Sequence, residues 1–267
     1  MPVQVQSFFH SASHTFSYVV HDPDTGEAAL IDPVLDLDPD TGAIEETPLE
    51  PLLAHVQQHG LTVRWLLETH AHADHVSAGR RLKQHFPQAQ LAIGSGIRAV
   101  QATFAPRYDV SLPAEGEDFD QLLDHGSRFA LGDVAAQVIA VPGHTSDSVA
   151  YLIGDALFPG DSLFMPDGGT ARCDFPGGDA TQLYRSIQRL LALPDDTRVF
   201  VCHDYGPGGR PIANETSIGA QRAHNIHVRE GISEAAFVAM RQERDATLAE
   251  PRLMQPSVSA NIQGGAR

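Results

Sequence analysis

The chain has 267 residues, 42% of them hydrophobic and 19% charged, an ordinary globular composition with enough length for a large core. There is no apolar run of membrane-spanning length, the opening MPVQVQSFF lacks the basic start and apolar stretch of a secretion signal, and two cysteines exclude a disulfide scaffold, so the cytoplasm is the expected compartment. Asp and Glu number 34 against 18 Lys and Arg, and the resulting charge of −16 would repel phosphate backbones and anionic lipid, which excludes nucleic acid and membrane as partners.

In chain order, VQVQSFF (3–9) and TFSYVVHD (15–22) read as strands of a meander, and DPDTG (22–26) is a turn by its Pro, Asp and Gly. EAALIDP is a short apolar strand ending at Asp32 and Pro33, and the polar stretch 36–48 reads as a loop. Leu52, Leu53 and Val56 share one face of a helix that stops at Gly60. WLLETH (65–70) is a strand running into a His-rich loop, followed by a helix over 75–86, a strand at 89–95 and a helix at 96–104. Residues 129–145 hold two strands and a second His-bearing loop, and 148–164 a hairpin turning at Gly154-Asp155-Ala156. Leu183, Ile187, Leu190 and Leu191 have the helical period, VFVCHDY (199–205) is a strand ending in a third His-bearing loop, and about 214–250 is a helical segment before a Pro- and Gly-containing tail. No repeat or linker divides residues 1–267, so one α/β domain with helix-covered sheets is expected.

Histidine is the unusual count, at 14. Three of them lie with an aspartate in Thr69-His70-Ala71-His72-Ala73-Asp74-His75, directly after a strand. On a helix these side chains would scatter around the axis, whereas on a tight loop they can converge on a divalent cation. His144, Asp161 and His203 each follow an apolar strand as well. The seven candidate ligands His70, His72, Asp74, His75, His144, Asp161 and His203 exceed one tetrahedral shell and include no cysteine, so an all-thiolate structural zinc is excluded. Two arrangements remain: two metals sharing a carboxylate, or one metal with the other residues around it. Two histidines and one carboxylate with open positions would suit non-haem Fe(II) and O₂.

THAHADH, then PGHT, then GDSLF, then CHDY, over roughly residues 10 to 210, resembles the metallo-β-lactamase superfamily. The resemblance implies an αββα sandwich with the metal site at the edge between two sheets. Asp161 stands where many true β-lactamases carry a cysteine, which argues against antibiotic hydrolysis. Two branches compete: glyoxalase II, which hydrolyses glutathione thioesters at two zinc or mixed metal ions, and persulfide dioxygenase, which oxidises glutathione persulfide to sulfite at one iron. His203-Asp204-Tyr205, the segment 170–175 and the lack of any lysine after Lys83 resemble the dioxygenase.

That branch implies His70, His144 and Asp161 as ligands of one Fe(II) per chain, with His72, Asp74, His75 and His203 around them; in the hydrolase Asp74, His75 and His203 would hold a second ion. Arg172 and Tyr205 match positions that contact the thiol carrier, and the alternatives are an ion pair with Asp174 or Asp167 for the first and core packing for the second. The mitochondrial-type cysteine is Thr170 here, and 171–180 resembles a bacterial subgroup often linked to rhodanese domains. Expected partners are therefore O₂, a low-molecular-weight thiol persulfide (glutathione, coenzyme A or another carrier), a functionally linked rhodanese and, by resemblance, a second copy of the chain. Cys173 and Cys202 read as buried fillers rather than persulfide relays, and His224 and His227 as a surface pair or dimer contact one helical turn apart. His10 and His14 receive no role, and Gly160, Gly168, Gly169, Gly177, Gly178, Gly208 and Gly209 suit plain turns.

Overall fold

The computed structural model describes residues 2–113 and 118–265. Strands β1 (Gln4–His10), β2 (Thr15–His21), β3 (Glu27–Ile31), β6 (Thr62–Leu67), β8 (Gln90–Gly94) and β9 (Gln121–Leu123) form one sheet in that order. A second sheet runs β10 (Arg128–Leu131), β11 (Val134–Ala140), β12 (Val149–Ile153), β13 (Ala156–Phe158), β14 (Arg198–Phe200) and β15 (Glu215–Ser217). Side chains alternate across each strand, so the first sheet sends Tyr18, Val20, Ile31 and Leu67 inward against Val138, Tyr151, Ile153 and Phe158 of the second.

The outward faces need cover, and helices supply it. Leu30, Leu66, Leu91 and Ile93 pack under α1 (Leu49–Gln58), α2 (Gly79–His85), α3 (Ile97–Arg107) and α7 (Met254–Asn261). Ile139, Ala150, Leu157 and Val199 pack under α4 (Ala180–Leu191), α5 (Ile218–His224) and α6 (Glu234–Asp245). Asp179, Ser217 and Ser233 start α4, α5 and α6 by accepting hydrogen bonds from Gln182 N, Ala220 N and Ala236 N. The result is the αββα sandwich that the motifs imply. Among the described residues no helix is long and apolar enough to cross a membrane.

Three local expectations are corrected. The stretch 36–48 is not only loop: β4 (Val34–Leu37) pairs with β5 (Ile44–Glu45) and with β7 (Val76–Ser77), because Val34 and Leu35 are buried. The helical segment 214–250 is interrupted, since Asn225 Oδ1 accepts hydrogen bonds from His227 N and Val228 N and ends α5. The tail is helical in part: Met254, Val258 and Ile262 recur every four residues against the first sheet, and Pro256 sits in the first turn of α7, where its missing N–H costs nothing.

Candidate metal centre

The His-rich loop leaves the end of β6 and is held from three sides. Asp32, in a left-handed conformation after β3, accepts hydrogen bonds from Thr69 N (2.7 Å) and Thr69 Oγ1 (2.9 Å). Asp147 Oδ2 accepts from Ala71 N at 2.8 Å. Asn261 on α7 donates to the carbonyls of His72 and His75, both at 2.8 Å. These hydrogen bonds hold the loop backbone and turn the histidines inward.

The other tips approach through glycines. Gly143 precedes His144 at φ +142°, where a Cβ would stand 2.3 Å from Leu183 Cα. Gly160 precedes Asp161 at φ +53°, against the side chain of Thr69. His144 Nδ1 donates to the carbonyl of Arg172 at 2.6 Å, which aims its Nε2 at Asp161.

His70, His144 and Asp161 form one group of donor atoms within 4.8 Å of one another; His72, Asp74, His75 and His203 form a second. Asp161 faces both: its Oδ2 is 3.5 Å from His144 Nε2 and 4.0 Å from His70 Nε2, and its Oδ1 is 3.3 Å from His203 Nε2. All seven predicted ligands thus meet at one place. His72 stands with the second group, its Nε2 3.1 Å from Asp32 Oδ1 without hydrogen-bond geometry. Both nitrogens of His72, His75 Nε2 and Asp161 Oδ1 are buried with no hydrogen-bond partner. Unpaired donors packed this closely fit a cation.

Electrostatics point the same way. Burial and neighbouring imidazoles hold His70 and His72 well below the ordinary histidine value, leaving their lone pairs free. Burial raises the Asp161 carboxyl, but His203, His144 and His70 outweigh it and keep the group an anion. Asp74 is likewise lowered, burial being overcome by His203 and His75.

A cavity of about 420 Å³ opens onto Asp74, His144, Asp161 and His203 and is walled by Phe164, Phe175 and Leu248. Tyr205 lies at this cavity, not in the core: it is 58% exposed and stacks on the His203 ring at 6.0 Å. Arg172 also lines the cavity, with its guanidinium held by Asp174 at 2.6 and 2.7 Å and by the Ala249 carbonyl at 2.8 Å. The ion pair weighed for Arg172 is therefore formed. Arg244 on α6 is the cation that sequence reasoning missed; it is exposed at the cavity and makes no ion pair among the described residues. No local pattern marks it, because only the packing of α6 against α4 brings it there.

Both cysteines are buried. Burial and the Asp245 carboxylate, 3.4 Å from its sulfur, push the Cys173 thiol up to about 12, and burial with nearby Asp161 raises Cys202. Protonated, enclosed thiols agree with filler roles.

His227 is not half of a surface pair. It lies beyond the end of α5, is buried, and its Nδ1 accepts from Thr170 N at 3.0 Å. Burial, then Arg241 and Arg244, lower it from 6.5 to about 4. Its folded value lies below its unfolded one, so the stability it contributes is present above about pH 6.5 and is lost as pH falls toward about 4. Thermal melts of metal-free protein are expected to drop over that window, with a smaller drop in His227→Gln. Equal drops in both proteins would refute the assignment.

Two stacked sheets between helix layers, with a His/Asp cluster where strands of both sheets end, define a metal-binding enzyme of the αββα class. The chain belongs to the metallo-beta-lactamase superfamily, whose model matches residues 11–203. It is 46% identical to a probable metallo-hydrolase of Burkholderia pseudomallei, over 98% of this chain and 92% of that one. It is 47% identical to a beta-lactamase hydrolase-like protein of Agrobacterium fabrum over 98% of this chain, but spans only 60% of that protein's length. Identity is 30% to the human mitochondrial persulfide dioxygenase ETHE1, covering 76% of this chain and 69% of that one. It is 34% to a hydroxyacylglutathione hydrolase of Synechococcus, covering 71% and 64%. Among solved structures, ETHE1 from Myxococcus xanthus matches with a TM-score of 0.78, 32% identity and full coverage of both chains.

Proposed function

We propose that the protein is a persulfide dioxygenase that uses one Fe(II) held by His70, His144 and Asp161. The observation that carries this reading is the donor set: two imidazoles and one carboxylate in one group, with His144 and Asp161 lining an open cavity. The full-length similarity to ETHE1 from Myxococcus xanthus supports it.

The balanced reaction is RSSH + O₂ + H₂O → RSH + SO₃²⁻ + 2H⁺, in which the outer sulfur loses four electrons and O₂ gains them. Bound Fe(II) supplies the one-electron steps that ground-state O₂ requires. The chain's own residues do the rest. The Arg172 carbonyl fixes the ring of His144, and Phe164 and Phe175 keep water from the sulfur. Tyr205 and Arg244 face the space that a carrier such as glutathione would fill, one offering an aromatic face and hydroxyl, the other a free guanidinium for a carboxylate. Arg244→Ala is expected to raise KM for the persulfide about tenfold, the scale of one charge-assisted hydrogen bond, with kcat nearly unchanged. An unaltered KM would remove Arg244 from carrier binding.

One observation favours a second reading. His72, Asp74, His75 and His203 gather four donors, enough for a second ion and a two-metal thioester hydrolase. Protein loaded anaerobically with Fe(II) and given glutathione persulfide in an oxygen electrode separates the two. Oxygen uptake matched by sulfite is expected, with no hydrolysis of S-lactoylglutathione. Hydrolysis without oxygen uptake would establish the alternative.

A further inference from the structure

A line of side-chain hydrogen bonds leads from the metal centre to residues of a cavity other than the substrate cavity. His75 Nδ1 lies 3.3 Å from Thr15 Oγ1; His203 Nδ1 lies equally far from it and 3.2 Å from the His14 carbonyl. Thr15 Oγ1 is 2.7 Å from Ser13 Oγ, Ser13 Oγ is 2.7 Å from His10 Nδ1, and His10 Nε2 is 2.7 Å from Asp36 Oδ1. The line starts fully buried at Thr15 and rises through a His10 side chain that is 13% exposed to an Asp36 side chain that is 40% exposed.

Its polarity is consistent throughout. The His75 ring N–H can donate to Thr15, Thr15 to Ser13, Ser13 to His10 Nδ1, and the Nε2–H of His10 to the Asp36 carboxylate. Each hydroxyl then accepts once along the line and donates once outward. Asp36 and His10 line a second cavity, with Phe8, Ser17 and Thr47, that shares no residue with the substrate cavity.

We propose that Thr15, Ser13, His10 and Asp36 form a proton exit from the metal centre to solvent. The reaction proposed above releases two protons per turnover into a cavity that the carrier itself fills. A proton released at the metal centre is taken up at His75 Nε2 as His75 passes its Nδ1 proton to Thr15; the Thr15 hydroxyl proton moves to Ser13, that of Ser13 to His10 Nδ1, and the His10 Nε2 proton leaves through Asp36. Rotation of the two hydroxyls, and return of His75 to its Nδ1–H and of His10 to its Nε2–H tautomer, restore the line. No bond other than O–H and N–H changes. Through the same bond His10 ties β1 to β4.

The exit rests on the proposed function only for its substrate. In dilute buffer His10→Ala is expected to lower kcat about tenfold, below the full effect of a directly placed acid or base, with KM unchanged. Release of protons to an indicator dye should slow by the same factor. Added imidazole should restore most of the loss in His10→Ala but none in Ser13→Ala, which breaks the line where no imidazole fits. Unchanged turnover and proton release in both variants would overturn the exit. So would a His10→Ala loss that imidazole leaves in place while metal content and melting match the parent, since that is a structural effect. Independent of turnover, long-range ¹H–¹⁵N spectra of the metal-free protein should show neutral His10 carrying its proton on Nε2; an Nδ1–H tautomer would contradict the line. A parent that consumes no persulfide counts against the function and not the exit, which is then decided by the His10 tautomer in the metal-free protein.

Discussion

Asp161→Ala is expected to leave the protein folded, nearly free of metal, and slower by about three orders of magnitude or more, a loss of about 4 kcal/mol of transition-state stabilisation. Among the described residues Asp161 is the carboxylate that faces both donor groups, with His144 and His203 at 3.5 and 3.3 Å from its two oxygens. Without it, the first group is two imidazoles with no anionic oxygen to offset a divalent cation. Asp161→Asn keeps the shape and removes the charge, so it should fail nearly as badly. Metal analysis with oxygen uptake reads both variants. Parent-like iron content in Asp161→Ala would mean that the ion sits elsewhere in the His/Asp cluster.

The second large effect is on stability. Arg241 and Asp245 are a buried ion pair on α6; Arg241 Nη1 also donates to the Thr170 carbonyl at 3.1 Å, and Asp245 Oδ2 accepts from Cys173 N at 2.9 Å. The pair therefore clamps residues 170–173, whose Arg172 carbonyl orients His144. Arg241→Ala strands the Asp245 carboxylate in the interior, which is expected to cost about 3–5 kcal/mol. For a chain of this size that is a fall in Tm of about 10 °C. Arg241→Leu with Asp245→Leu should recover much of it, because a pair of apolar residues leaves no charge unpaired. A melting curve for Arg241→Ala that overlays the parent would show that the clamp carries no stability. Loss of the clamp should also weaken metal binding about tenfold through His144.

The candidate ligands were legible because their signal is local. THAHADH and the His or Asp after each apolar strand place chemistry at strand ends, and the alternation in strands such as TFSYVVH and EAALI reads directly as two-faced burial. The residues that support them were not legible, because their signal is tertiary. Asn261 reaches the His-rich loop from α7, 186 residues beyond His75, and nothing in PSVSAN announces it. Arg244 and Arg241 sit on a segment whose sequence reads only as helical, and their difference, one free and one clamped, depends on what α6 packs against. His227 was misplaced because a helical period was carried past Asn225, whose side chain caps the chain instead. His10 ends β1 and Ser13 lies in the turn after it, and only the folded chain brings that turn against His75 and His203.

Anomalous diffraction at the iron edge, from crystals of protein loaded anaerobically with Fe(II), tests the central claim most directly. One strong peak is expected, within bonding distance of His70 Nε2, His144 Nε2 and an Asp161 oxygen and open toward the cavity beside Tyr205 and Arg244. A second peak of equal height among His72, Asp74, His75 and His203, or no peak between the first three, would contradict a one-iron dioxygenase.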